Sequence, residues 1–235
     1  MSAVKALWVR AFPTAESQAF LRWGLGAYGL ITVVLLVAAL RTSDGTMVYA
    51  LDDPAIHLSV AQNLVDHGTW GVTPGHFQSA SSSPLWTLLV AAFVGVAPFA
   101  ADWAALVLNV AASVAVIALF ARVQSTFRPS LRRPLDVAAV ITLVVVVLFL
   151  PAATFVGMEH VLHLALVLAA FHLLLQERDR TRSRIRRLAP YLLVALATLT
   201  RLETAFLAAG LGAALLVTPP LAGHGGSSHP ARSRS

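Results

Sequence analysis

The sequence predicts an all-α integral membrane protein of about six or seven transmembrane helices, with a long first loop that carries an amphipathic interfacial helix. Three observations carry that prediction. Hydrophobic residues make up 57% of the 235 positions and charged residues 12%, and the mean hydropathy is +0.76, far from the composition of soluble domains. The apolar residues fall in blocks of roughly 17 to 20, the length that crosses a hydrocarbon core about 30 Å thick as a helix. The net charge of +6 sits mostly in short arginine clusters between those blocks, as topology signals do, and so argues against a nucleic-acid surface. The chain has no cysteine, which excludes a disulfide framework and a thiolate metal site.

Residues 1–23 read as an N-terminal leader, with Lys5, Arg10 and Arg22 suiting the cytoplasmic side and an interfacial helix over Ala15–Trp23. A long polar stretch precedes the first apolar block, Gly24–Leu40, and no small-residue cleavage site follows promptly, so the block is expected to stay as an anchor. The transmembrane module runs over 24–219, and its first loop over 41–83. Within that loop "DDPAIHLSVAQNLVDHG" carries helix punctuation: Asp53 can cap, Pro54 suits the first helical position and Gly68 the C-terminal stop. Leu58, Ala61, Leu64 and Val65 then share a face, which predicts a helix along the membrane surface.

The next spans are Pro84–Ala101 and Ala104–Ala121, separated by "ADW", then Asp136–Leu150 and Glu159–Leu175, flanked by "RVQSTFRPSLRRP" and "QERDRTRSRIRR". The last block, Ala189–Pro219, is broken by "TRLET" and reads either as one tilted helix or as two meeting at Arg201 and Glu203. Residues 220–235 are rich in Gly, Ser and Arg and are expected to be disordered. Orientation poses a conflict. Counting crossings from a cytoplasmic N-terminus puts the Asp52 loop outside, but puts both arginine-rich loops outside too, against the positive-inside tendency. Either Pro84–Ala101 does not cross fully, or the N-terminus is outside, or the "ADW" turn is misread.

The adjacent acids Asp52 and Asp53 admit two readings. A carboxylate at the membrane edge, partly desolvated beside a like charge, is suited to general-base work, whereas Asp-Pro is also a common helix start, with Asp53 capping and Asp52 solvated. A divalent cation could be drawn to the pair, but only Asp44 and Asp66 stand near in sequence to complete an oxygen shell. Arg201 is a cation inside an apolar block and needs an explanation: an anion partner, an ion pair with Glu203, or snorkelling. Glu159 opens a helix, where a carboxylate suits the positive end of the dipole as well as a ligand contact. His57, His67 and His76 follow no metal-ligand spacing, although His57 could assist the acid pair. His160 and His163 share a helical face and suit a polar seam. Trp70 and Trp86 suit headgroup anchoring or stacking on a sugar ring.

The order "DDPAIHLSVAQNLVDHG", "TPG", "SSPLWTLLVA" resembles the first extracytoplasmic loop of the C-type-fold membrane glycosyltransferases that use polyprenyl-phosphate sugars, in the branch that includes the actinobacterial terminal arabinofuranosyltransferase. The matching positions are Asp52, Asp53, Ile56, Ala61, Asn63, Leu64, Gly68, Pro74, Gly75, Ser83, Pro84, Leu85 and Trp86. "GMEH" at 157–160 and "ATLTRLET" at 197–204 are similar to two later elements of that family, in the same order. Pro54, His57 and Leu202 depart from the pattern, and the likeness is to the N-terminal half of such enzymes.

The resemblance implies sugar transfer from a polyprenyl-phosphate donor to an envelope glycan, lipid or protein acceptor, at a bacterial inner membrane. It implies Asp52 as the base, Asp53 as its helper, Arg201 as the counter-charge to the leaving phosphate, and Glu159, His57 and Trp86 as substrate contacts. No cofactor is implied beyond the open matter of a divalent cation, and the partners are the donor, the acceptor and the bilayer. The alternatives are a truncated, non-catalytic subunit that scaffolds envelope assembly and, more distantly, a transporter coupling ions through Arg201 and Glu203.

Overall fold

The computed structural model describes residues 14–127, 134–176 and 184–217, and every regular element among them is helical. Helix α1, Ala15–Thr42, is about 42 Å long at the α-helical rise. Thr14 caps it by accepting from the Ser17 N–H at 3.0 Å, which satisfies one of the orphan donors of the first turn. The expected interfacial helix over Ala15–Trp23 is therefore no separate element; it runs unbroken into the first apolar block, because a change from polar to apolar residues does not interrupt backbone hydrogen bonding. Phe20, Leu21, Gly24, Tyr28 and Thr32 form its buried stripe, while Leu30, Val33, Val34 and Val37 stay exposed on the other side, an arrangement suited to hydrocarbon.

Helix α2, Asp53–His67, lies in the first loop, and α3, Pro84–Val96, follows it. The two pack together, burying Val60, Ala61, Trp86, Val90 and Val94. The α2 face that the sequence assigns to the membrane surface is thus turned largely onto α3, and only its Val65 edge remains exposed. A 3₁₀ turn, Pro98–Trp103, leads into α4, Ala104–Phe127.

The expected Asp136–Leu150 span is divided into α5, Pro134–Thr142, a π turn, Leu143–Val147, and α6, Leu150–Val156. Pro151 removes an N–H from the ladder and crowds the carbonyl four residues back; Phe149 takes up the break in the left-handed region at φ 52°. Helix α7, His160–Leu175, packs between α4 and α8, Arg184–Thr200, and α9, Thr204–Val217, completes the described chain. The "TRLET" block is two helices meeting at Arg201–Glu203.

Among the described residues three helices are long and apolar enough to cross a membrane: Ala15–Thr42, Pro98–Val123 and Leu135–Val156. Pro84–Val96, His160–Leu175 and Arg187–Thr200 are apolar but shorter. The core joins Phe20 and Tyr28 of α1, Val116 and Ile117 of α4, Leu150 of α6 and Val161 of α7. The leader residues 1–13, the arginine clusters at 128–133 and 177–183, and the tail lie outside the described residues.

Candidate functional site

Three chain breaks far apart in sequence meet at one end of the bundle: the start of α2, the Gly157–Glu159 turn before α7, and the Arg201–Glu203 turn after α8. Gly157 makes the first junction. It sits at φ 75°, and a Cβ built there would lie 2.6 Å from Tyr49 Cδ1 and 2.8 Å from Pro54 Cγ, so the first loop packs directly on its backbone. The Tyr49 hydroxyl donates to the Asp102 carbonyl at 2.8 Å and accepts from the Leu106 N–H at 3.0 Å, which ties the loop to the start of α4. Burial pushes its phenol up to about 12, with the backbone hydrogen bond from Leu106 opposing the shift. The second junction is a buried bond from the Ser83 hydroxyl to the Thr200 carbonyl at 2.8 Å, joining the start of α3 to the end of α8.

Between these junctions lies a cavity of about 400 Å³ lined by Asp53, Ser82, Met158, Glu159, His160, Thr200, Arg201, Leu202 and Glu203. Arg201 organises its charge. It donates to Glu203 Oε1 at 2.7 Å, to Glu159 Oε1 at 3.3 Å and to His160 Nε2 at 3.0 Å. Glu159 is only 3% exposed, and its Oε2 accepts no hydrogen bond. The group facing that oxygen is His57 Nε2, at 4.0 Å.

His57, 4% exposed, sits behind Glu159, outside the cavity wall. Its Nδ1 lies 2.9 Å from Thr87 Oγ1 and 3.3 Å from Ser81 Oγ. Burial holds the imidazole below the ordinary histidine range, with the charges of Glu159 and Asp53 opposing.

The candidate residues separate on this geometry. Asp53, Glu159 and Arg201 are brought together, with His57 as a buried neighbour. Asp52 is exposed and stands at the N-cap of α2 without a side-chain capping bond; the helix begins at Asp53, so the expected Asp53 cap is displaced by one residue and is not formed. Glu159 likewise occupies the N-cap of α7 without a capping bond, its side chain turned to Arg201 instead. Trp86 is elsewhere. At 1% exposed it is a core residue against a separate apolar cavity between α3, α4 and α7, too enclosed to anchor at headgroups or to meet a sugar in the Asp53 cavity. His163 bonds Thr204 Oγ1 at 2.6 Å, so His160 and His163 form a polar seam facing the Arg201 turn.

Ser83, Thr87 and Thr200 hold the site together; all three lie within the quoted motif stretches and Ser83 is a matching position, but nothing in the sequence assigns any of them this holding role. Among the described residues no three His, Asp or Glu side chains are grouped to hold a metal ion. No family model, curated protein or solved structure matches the chain. What the arrangement offers chemically is an accessible carboxylate, a buried carboxylate and a guanidinium around a space suited to one small polar group.

Proposed function

We propose that this protein is a multi-pass membrane glycosyltransferase of the bacterial inner membrane, transferring a sugar from a polyprenyl-phosphate donor to an envelope glycan, lipid or protein. The observation that carries the reading is the cavity itself: Asp53, Glu159 and Arg201 come from the three stretches that resemble such enzymes, and all three line it.

Topology supports the same reading. Helix α3 has 13 residues, about 20 Å, and falls short of a core about 30 Å thick. With α3 non-crossing and the N-terminus cytoplasmic, α1, α4, α5–α6, α7 and α8 cross in turn, the last two with modest local thinning. The clusters at Arg128, Arg132 and Arg133 and at Arg178, Arg180 and Arg182 then fall on the cytoplasmic side, as positive residues should. Asp53, Glu159 and Arg201 all fall on the opposite side, where envelope acceptors are.

In this mechanism an acid of the first loop removes the acceptor hydroxyl proton, the oxygen attacks the anomeric carbon, and the lipid phosphate departs with its charge met by Arg201. Motif order favours Asp52 as the base, but Asp53 is the acid on the cavity, and the reading assigns the role to Asp53. The test is transfer of radiolabelled sugar from polyprenyl-phosphate donors in membranes carrying the protein. Asp53→Asn is expected to lower transfer by about 10²- to 10⁴-fold, the usual worth of a general base, and Asp52→Asn to retain most of it. Equal transfer in wild type and Asp53→Asn, or none above empty membranes, refutes the assignment.

A further inference from the structure

Arg201 poses a difficulty for an anion-binding role, since its guanidinium is already engaged by Glu159 and Glu203. Glu203 is largely exposed and its pairing is open to water and ligand. Glu159 is buried and holds Arg201 from inside. Something must hold the Glu159 carboxylate if Arg201 is to turn to a ligand. The group placed to do so is His57, whose Nε2 faces the unbonded Oε2 at 4.0 Å.

We propose that His57 is a positioning residue acting through Glu159, a proton-operated latch: protonated His57 draws Glu159 into its own ion pair and frees Arg201 to bind an anion in the cavity. The inference rests on the glycosyltransferase reading for the identity of that anion, a phosphodiester.

Two features fit His57 to both states. Its Nδ1 partner is a hydroxyl pair, Thr87 with Ser81, themselves 2.7 Å apart. A carbonyl in that place could only accept and would lock one tautomer, whereas a hydroxyl donates to neutral Nδ1 and accepts from Nδ1–H of the cation. The second feature is distance. At 4.0 Å no hydrogen bond exists between Nε2 and Oε2, and a shift of about 1.2 Å reaches the charge-assisted spacing and lengthens the 3.3 Å Arg201 contact. The other charged groups facing the pair are Asp53, one turn before His57, and His160, Arg201 and Glu203 around the Glu159 carboxyl. His163, bonded to Thr204, faces Arg201 from α7. Among these only Arg201 and His160 compete for Glu159 as cations.

The test uses the whole protein in lipid nanodiscs, with sulfate as the probe because its charge is constant from pH 8 to 5. Sulfate affinity is expected to rise by about tenfold as His57 protonates, the ratio carried by one unit of pKa coupling. His57→Gln is expected to flatten that rise, and His57→Asn, which keeps the Thr87 contact, serves if the first variant fails to fold. Histidine NMR of wild type and Glu159→Gln reads the latch without any ligand: His57 must titrate at lower pH once the Glu159 charge is gone. A His57 titration blind to Glu159, an unchanged pH rise in His57→Gln, or no sulfate binding at any pH overturns the proposal. A protein that passes these tests but transfers no sugar keeps the latch and loses the glycosyltransferase reading; one that transfers sugar with an uncoupled His57 does the reverse.

Discussion

Gly157→Ala is the sharpest probe of how the site is assembled, because two separable costs meet at this position. A non-glycine residue in the left-handed region costs about 1–2 kcal/mol, and forcing a methyl into packed neighbours costs about 1–3 kcal/mol. The new Cβ at φ 75° would stand 2.6 Å from the Tyr49 ring and 2.8 Å from Pro54, neither of which is the loose end of a flexible chain. Tyr49 is pinned at its hydroxyl, and Pro54 is a ring in the first turn of α2. The expected loss is therefore about 2–5 kcal/mol.

Two other glycines calibrate the terms. Gly68 has φ 65° with nothing near its missing Cβ, so Gly68→Ala should cost only the conformational part, about 1–2 kcal/mol. Gly26 is helical with open space around it, and Gly26→Ala should be neutral or stabilising by about 0.5–1 kcal/mol. Thermal unfolding of the purified protein, followed by tryptophan fluorescence, measures all three. At roughly 2–4 °C per kcal/mol for a chain of this size, Gly157→Ala should fall by roughly 4–20 °C and Gly68→Ala by roughly 2–8 °C. A Gly157→Ala variant no less stable than Gly68→Ala would refute the close packing of the first loop on the α7 turn.

Arg201→Ala leaves Glu159 buried with only the imidazoles of His57 and His160 near it; discounting the pair for the partial exposure of Arg201, the expected loss is about 1–3 kcal/mol, recovered largely by adding Glu159→Gln and not by adding Glu203→Gln. The double variants' unfolding temperatures decide this. Burial holds the folded His57 imidazole below its ordinary range, so the unfolded chain binds the extra proton first as pH falls. Its contribution is fully present above the ordinary histidine range and is lost as pH falls through the depressed folded value; a melting profile from pH 7.5 to 5 should slope downward, and His57→Gln should reduce the slope. Asn109 is fully buried in α4 with both amide atoms unbonded, so Asn109→Leu should hold or raise stability by about 1–2 kcal/mol. A loss above about 1 kcal/mol in the same melting assay would mean that the amide has partners.

Much of the fold was legible because its signals are local. Asp53-Pro54 and Gly68 bracket α2, and the structure stops that helix on a left-handed Gly68. The Gly157 turn and the "TRLET" break appear where composition interrupts an apolar run. What was not legible depends on partners distant in the chain. Trp86 reads identically in sequence whether it meets headgroups or a core; only the arrival of α4 and α7 decides that it is buried. Glu159 and Arg201 are 42 residues apart, so sequence offered Arg201 only its neighbour Glu203, and the buried carboxylate that holds it from behind needed the fold.

Under the proposed topology, the length of one helix resolves the orientation conflict that hydropathy leaves open. Hydropathy sums Pro84–Ala101 as a span because an apolar helix buried in protein and one bathed in lipid have the same composition. The helix ends at Val96, and Pro98 opens a 3₁₀ turn in place of another α turn, which leaves α3 about 10 Å short of the core. Removing that single crossing reverses the predicted side of every later loop. The arginine clusters then agree with the positive-inside tendency, and the three cavity breaks fall on one side together. The cavity's existence already requires the second of those results, since Asp53, Glu159 and Arg201 line one space. The charge distribution supplies the first from independent residues, and with a cytoplasmic N-terminus both requirements are met when α3 does not cross, which is the topology proposed for this protein.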